Sequence, residues 1–346
     1  MQVGFFFWPY APDLVRRMSA AAERYGYDMI GIADTPGNAM DPWVAATMVA
    51  HTTERPRIAL CVSNIESRHP AASAAAIASL DLLAPGRALL GLGTGHSGTH
   101  NLGLGRSRVA DLVAGAEYIR ALLRGEPASW RDGAANLPWV TRPSPVFLSA
   151  SGPKALAGAA ASADGVFINF GLTAENLAQT DKTMATGLTA AGRAPADVEV
   201  WRIAALDCNS DGAASRAKLG SILAFVAGGY ILQGDLAARG VPAELHGAVA
   251  ELRRRYSTRP GVADAALVDE LGLFDSCRVA SRSSARLPSV ARRYWRRRRA
   301  VSTASCSRSA LPRTRLQRLS CLARRCCPRC AEWPLPARSG RWSAVS

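Results

Sequence analysis

Short apolar runs alternate with helix-length amphipathic segments seven times in succession, and nothing else in the chain restricts its fold as strongly. The runs lie at residues 3–7, 29–33, 58–63, 88–92, 146–149, 166–169 and 198–206, and each is followed by a helical stretch. In the first, Asp13 is placed to cap a helix that carries Leu14, Met18, Ala21, Ala22 and Tyr25 on one face and closes at Gly26. Asp41-Pro42 opens the second helix, and an Ala-rich third over 71–83 ends at Pro85-Gly86. Ser107 is positioned to cap a further helix with Val109, Leu112, Val113, Ala116, Ile119 and Leu123 at helical spacing. One repeating βα order predicts a parallel sheet with right-handed crossovers, either doubly wound or closed into a barrel.

The segment after the fourth run, GLGTGHSGTHNLGLG over 91–105, decides between these two. Six glycines in fifteen positions let backbone N–H groups come close to an anion. The segment contains a formal GxGxxG at 93–98, with Glu117 further on, as in a dinucleotide-binding unit. That fingerprint belongs to the first βα turn, and here the first turn is Phe7-Trp8-Pro9-Tyr10-Ala11-Pro12, without glycine. In an eight-stranded (β/α) barrel, by contrast, every βα loop opens on one face and a site recruits several of them. The polar candidates follow that rule: Asp34 after the second strand, Ser63 and Asn64 after the third, Thr94 and His96 after the fourth, Ser151-Gly152-Pro153-Lys154 after the fifth, Asn169 after the sixth. An α/β TIM barrel with one composite site is therefore expected. Ser151 also sits at a strand-to-helix turn, but a nucleophile elbow needs glycine where Ser149 and Pro153 stand. The same turn opens a helix, which gives either an anion site with Lys154 adding charge or a plain helix cap.

Charge divides sharply along the chain. The formal net charge is +15, yet residues 276–346 hold 18 arginines against one acid, Glu332, which leaves −2 for residues 1–275. Of the eight cysteines only Cys61 and Cys208 lie in the body, as expected of buried thiols in a reducing compartment. Residues 1–10, MQVGFFFWPY, lack a basic n-region, and the uncharged, histidine-free run 219–234 holds four glycines and is short for a bilayer span. These features predict a cytoplasmic protein without a membrane segment.

Four stretches together carry a resemblance: GLGTGHSGTHNLGL, FLSASGPKALAGAAASADGVFINFGLT, SNIESRHPA and LLAPGRALLGLG. They resemble the luciferase-like flavin-dependent oxidoreductases, within them the methylenetetrahydromethanopterin-reductase-like branch that uses the deazaflavin coenzyme F-420. The resemblance covers about residues 2–275. It implies a TIM barrel of the luciferase-like type holding coenzyme F-420 or FMN at its C-terminal mouth. On this reading Ser63, Asn64, Gly93, Thr94, Gly95, Ser151, Gly152, Pro153, Lys154 and Asn169 line the ring and its phosphate tail, and the glycines make room for a flat ring. Asp34 meets the ring edge or caps a helix. His96, where the branch often has an acidic residue, bonds a ring carbonyl, donates a proton from a near-neutral imidazole, or fills the loop. His69, in Arg68-His69-Pro70, orients the third loop. Trp8 and the stretch from Trp130 to Trp139 either build a substrate pocket or pack. The implied chemistry is hydride transfer to a small organic substrate, with FMN-dependent monooxygenation as the alternative and an assembly of identical chains compatible with either.

Residues 276–346 contain no Asp, Asn, Lys, His, Ile, Phe or Met and are crowded with Arg, Ser, Ala, Leu, Pro and Cys. The resemblance stops where the last βα unit is due, so that unit is missing or replaced, and a shifted reading frame near codon 275 with a disordered tail is expected. Two other readings exist. The run Arg296 to Arg299 after Tyr294-Trp295 would bind nucleic-acid phosphates, making the chain a non-catalytic barrel remnant with a basic tail. Cys321, Cys326, Cys327 and Cys330 would ligate zinc. Both spacings are irregular, so neither a specific nucleic acid nor a metal is expected as a partner.

Overall fold

The computed structural model describes residues 2–169, 171–172, 174–205, 211–228, 236–237, 241–257, 266–275 and 277. The chain divides into two compact units, residues 1–204 with 220–282, and residues 205–219 with 283–346. The arginine run and the cysteine cluster lie outside the described residues.

The elements follow in the order β1 (Gly4–Phe7), α1 (Pro12–Tyr25), β2 (Met29–Ile32), α2 (Pro42–Thr52), β3 (Arg57–Asn64), α3 (Pro70–Leu83), β4 (Ala88–Gly93) and α4 (Ser97–His100). Then come α5 (Val109–Leu123), β5 (Ala128–Trp130), β6 (Gly133–Ala135), β7 (Val146–Ala150), α6 (Pro153–Ser162), β8 (Gly165–Ile168), α7 (Ala174–Ala190) and β9 (Glu199–Arg202). Helices α8 (Gly212–Val226), α9 (His246–Arg255) and α10 (Leu267–Glu270) complete the described chain. Strands β1, β2, β3, β4, β7, β8 and β9 form one sheet in that order, every pair parallel, as the repeating βα order predicts.

Strand side chains alternate between two cores. Ile30, Ile32, Ile58, Leu60, Leu90, Leu92, Val146, Leu148, Val166 and Ile168 point outward and pack with Val49, Ile77, Ile119 and Leu156 of the helices. Met29, Ala59, Leu89, Phe147 and Phe167 form a separate cluster on the inner face, with Cys61, Val62, Trp201 and Ile203 against it. This arrangement requires a curled sheet. Arg57 on β3 donates to both oxygens of Glu199 on β9 at 2.8 Å, although β4, β7 and β8 lie between those strands in the sheet. Trp201 donates its indole N–H to the same carboxylate, and the Arg57 guanidinium lies 5.6 Å from the Phe147 ring centroid. Charge at one end of the inner face is thus paired. The fold is a barrel-type curled parallel sheet, whose edge strands β1 and β9 each have one neighbour among the described residues.

Local signals resolve with some corrections. Gly26 closes α1 in the left-handed region at φ 68°, and Asp41 caps α2 by accepting from the N–H groups of Trp43 and Val44. Asp13 lies in the first turn of α1, and the residue at the cap is Ala11. Arg108, not Ser107, precedes α5; the Ser107 hydroxyl donates to the Thr94 carbonyl and ties the glycine loop to that helix. The seventh strand ends at Arg202, and residues 206–210 of the longer predicted run lie outside the described residues. The β5–β6 hairpin is unpredicted because its strands are three residues each, too short to show alternation. Trp130 packs its ring 5.7 Å from that of Tyr118 on α5, so it serves packing.

Candidate functional site

The polar site candidates Asp34, Ser63, Asn64, Thr94, His96, Ser151 and Asn169 lie at or just beyond the C-terminal ends of parallel strands, which gathers them at one end of the sheet. Pairing then sorts them. Because β2 and β3 are neighbours, Asp34 and Ser63 come together, and the Ser63 hydroxyl donates to Asp34 Oδ2 at 2.6 Å. Burial pushes the Asp34 carboxyl up from its ordinary value, and nearby Asp41 adds to this. The Ser63 hydrogen bond and the charge of Arg68 oppose the shift. Asp34 is therefore a partly desolvated carboxyl with a donor fixed on one oxygen, and Asp41, not Asp34, caps α2.

Asn64 is buried and turns the chain: its side-chain oxygen accepts from the N–H groups of Glu66 and Ser67 at 2.9 and 2.8 Å. His69 then caps α3, its Nδ1 accepting from the Ala71 N–H, which fulfils the orienting role read from sequence. The β3–β4 register shifts between Leu60 and Ser63, where Cys61 and Val62 reach the inner core.

The glycines divide by use. A Cβ on Gly91 would meet Leu60 O at 2.4 Å and Val62 Cγ1 at 2.9 Å, and one on Gly93 would meet Val62 Cγ2 at 3.0 Å. Those two positions therefore admit a neighbouring side chain. Gly95 has φ 87°, a conformation that disfavours a side chain, and a Cβ there would lie 2.4 Å from Thr99 Cγ2. Thr94 accepts on its carbonyl from both the N–H and the hydroxyl of Ser107. Gly98 sits against Asp34 O, where a Cβ would stand at 2.9 Å, so α4 packs on the Asp34 loop, and the Thr35 and Ser97 hydroxyls share a buried hydrogen bond at 3.2 Å.

Ser151 and Asn169 meet across β7 and β8, the Ser151 hydroxyl donating to the Asn169 carbonyl at 2.9 Å. Gly152 is the N-cap of α6 with no side-chain cap, and a Cβ there would meet nothing within 4 Å. Pro153 and Lys154 follow, both exposed. This helix start combines open space, backbone donors and a lysine, a donor set suited to an anion.

His96 departs from one of its three expected roles, that of a near-neutral proton donor. Its ring lies 5.4 Å from Phe225 of α8 and 6.0 Å from Tyr256 beyond α9, and Phe225 in turn meets Trp8 at 5.8 Å. Burial, then the charges of Arg106 and His100, push the imidazole down to about 4. It is neutral at pH 7. The folded state binds this proton less readily than the unfolded chain does, so its stability is complete above about pH 6.5 and declines as pH falls toward 4, by about 3 kcal/mol at most. Replacing His96 by phenylalanine is expected to flatten the stability profile between pH 6.5 and 4 in urea titrations; an unchanged slope would refute this assignment.

Residues missed in the sequence are Trp43 and Arg68, whose side chains meet on this edge, the guanidinium 5.1 Å from the indole ring centroid. No spacing signal marks that pair.

Residues 9–282 match the family described as luciferase-like monooxygenase. The chain belongs to the luciferase-like family. The match runs past Asp275, where the sequence resemblance was placed to end. A 5,10-methylenetetrahydromethanopterin reductase of Methanolobus tindarius is 30% identical over 66% of this chain and 72% of its own length. An F-420-dependent hydroxymycolic acid dehydrogenase of Mycobacterium tuberculosis is 32% identical over 51% of this chain, and the match spans 53% of that relative. Among solved structures, the coenzyme F-420-dependent tetrahydromethanopterin reductase of Methanopyrus kandleri superposes with a TM-score of 0.64 at 20% identity, covering 81% of this chain and 91% of that one. This luciferase-like chain therefore shares the TIM-barrel type of its family and is an enzyme fold. Among the described residues no helix is long and apolar enough to cross a membrane.

Proposed function

We propose that this chain transfers a hydride between a reduced deazaflavin, coenzyme F-420, and a small organic substrate. Support comes from the luciferase-like relatives just named and from one observation of the site: a desolvated carboxyl and an open helix N-terminus share one edge of the sheet. The residues present suit such a cofactor. The α6 start at Gly152, with Lys154 beside it, would hold a phosphate of the tail, and the Ser151–Asn169 bond fixes the loop that carries it. Val62, Ser63 and Gly93 would face the ring.

When bound, the cofactor supplies the hydride equivalent. Reduction of a polar double bond also needs a proton, and Asp34 is the group that would hold it. Ser63 keeps one carboxyl oxygen occupied and so leaves the other for the substrate. His96, neutral at pH 7, serves as a hydrogen-bonding or packing group toward substrate. FMN is the alternative cofactor, and with it monooxygenation the alternative reaction. Equilibrium dialysis against both separates them: tighter binding of coenzyme F-420 is expected, and a clear preference for FMN would overturn the proposal. A cytoplasmic location and an assembly of identical chains fit this reading.

A further inference from the structure

Two nitrogen donors beside the proposed site are withdrawn from water and have no hydrogen-bond partner among the described residues: Nε1 of Trp43 and Nε of Arg68. A buried donor left unbonded costs on the order of 1–3 kcal/mol, so folded chains rarely keep two side by side unless something else completes them. The two belong together, since the Arg68 guanidinium lies over the Trp43 ring at 5.1 Å. Their backbones are firmly held. Asn64 accepts from the N–H groups of Glu66 and Ser67, His69 caps α3, and Asp41 accepts the N–H of Trp43 itself. Between these fixed points the Arg68 side chain makes no hydrogen bond or ion pair among the described residues. Other arginines of the barrel are used structurally: Arg57 bonds Glu199, Arg87 bonds Thr53, Pro56 and Ala50, and Arg120 bonds Asp164 and Ser162. Arg68 senses the charge of Asp34 without forming an ion pair with it.

We propose that Arg68 and Trp43 form a subsite at the barrel mouth that binds an anionic oxygen group, a carboxylate or a phosphate, of the bound ligand. Arg68 offers a planar fork of donors suited to two oxygens, and Trp43 adds a single N–H while its ring holds the guanidinium in place. The group belongs either to the substrate or to the tail of the cofactor. In this respect the subsite rests on the proposed function, although anion binding itself does not.

The probes are inorganic phosphate and acetate, titrated calorimetrically into the full chain. Both are expected to bind, and Arg68→Gln is expected to weaken them at least tenfold. Arg68→Lys should fall between, and Trp43→Phe, which keeps the ring and removes the N–H, should weaken them several-fold. A subsite arginine has a further signature: without anion, the thermal midpoint of Arg68→Gln should equal or exceed that of the parent, and the rise caused by phosphate should vanish. Equal anion affinity in parent and Arg68→Gln would overturn the proposal. So would a parent that binds neither anion, or a lowered midpoint with unchanged binding, the mark of a structural arginine. Saturation with coenzyme F-420 but not with its tail-less deazaflavin core would block phosphate if the group is the cofactor's, and neither would block it if the group is the substrate's. Arg68-dependent phosphate binding in a chain that binds no deazaflavin would keep the subsite and remove the cofactor reading.

Discussion

Replacing Gly152 by valine is expected to lower cofactor affinity by about a hundredfold or more while leaving the circular dichroism spectrum and thermal midpoint unchanged. The structure makes this position a clean test. Its φ of −100° and ψ of 161° are open to any residue, and an added Cβ meets no atom within 4 Å. Valine costs the fold little and fills the space in front of the α6 donors. Each charge-assisted hydrogen bond lost there is worth about 1.5–3 kcal/mol, and two such losses account for the effect. Gly95→Val is also expected to abolish binding, by another route. There φ is 87° and the Cβ would strike Thr99, so the loop between β4 and α4 must rearrange and stability must fall with affinity. Unchanged affinity in Gly152→Val by titration would remove the phosphate from this helix start.

These two glycines also show how far the sequence was legible. The six glycines of 91–105 suggested room for a flat ring and an anion, and the structure gives four of them further, separate uses. Gly91 and Gly93 admit Val62 from the next strand, Gly95 makes a turn, and Gly98 lets α4 approach the Asp34 loop. Strand pairing decides such uses, and composition cannot show it. The barrel itself was readable because short apolar runs and helical spacing are local signals, and because the position of the glycine loop after the fourth strand argued against a dinucleotide fold. The Asp34–Ser63 pair was readable in its members, each just after a strand, but not in its contact, which depends on the β2–β3 register.

His96 was among the candidate residues named from sequence, and of its three expected roles the near-neutral proton donor is the one its lowered imidazole contradicts. The shift of its imidazole comes from burial, and the rings around it, Phe225 and Tyr256, come from α8 and from beyond α9, far along the chain. Trp43 and Arg68 escaped notice for a similar reason. Each looks like ordinary helix-start or loop sequence until the structure sets one over the other and leaves their donors unbonded.

A chain whose reading frame is restored beyond Asp275 is expected to be more soluble than this one, to bind cofactor more tightly and to turn over substrate at least tenfold faster. Residues 276–346 carry 18 arginines and one acid and lack seven residue types, whereas the preceding 275 residues are nearly neutral and alternate strand and helix signals without interruption. Among the described residues β1 and β9 each lack a second neighbour, and a closed barrel requires one for every strand. An open pair of edges leaves backbone donors and acceptors to pair with other chains, which promotes aggregation. The apolar patches beyond Ser276, such as Ala300-Val301 and residues 319–322, are broken by serine, arginine or cysteine, so the sequence there carries no continuous apolar run like those of the seven strands. Trypsin should accordingly cut this chain first around Arg296 to Arg299. Sedimentation, dialysis and turnover compared between the two chains decide the matter: equality in all three would make the arginine-rich segment a genuine part of the fold and dispose of the shifted frame.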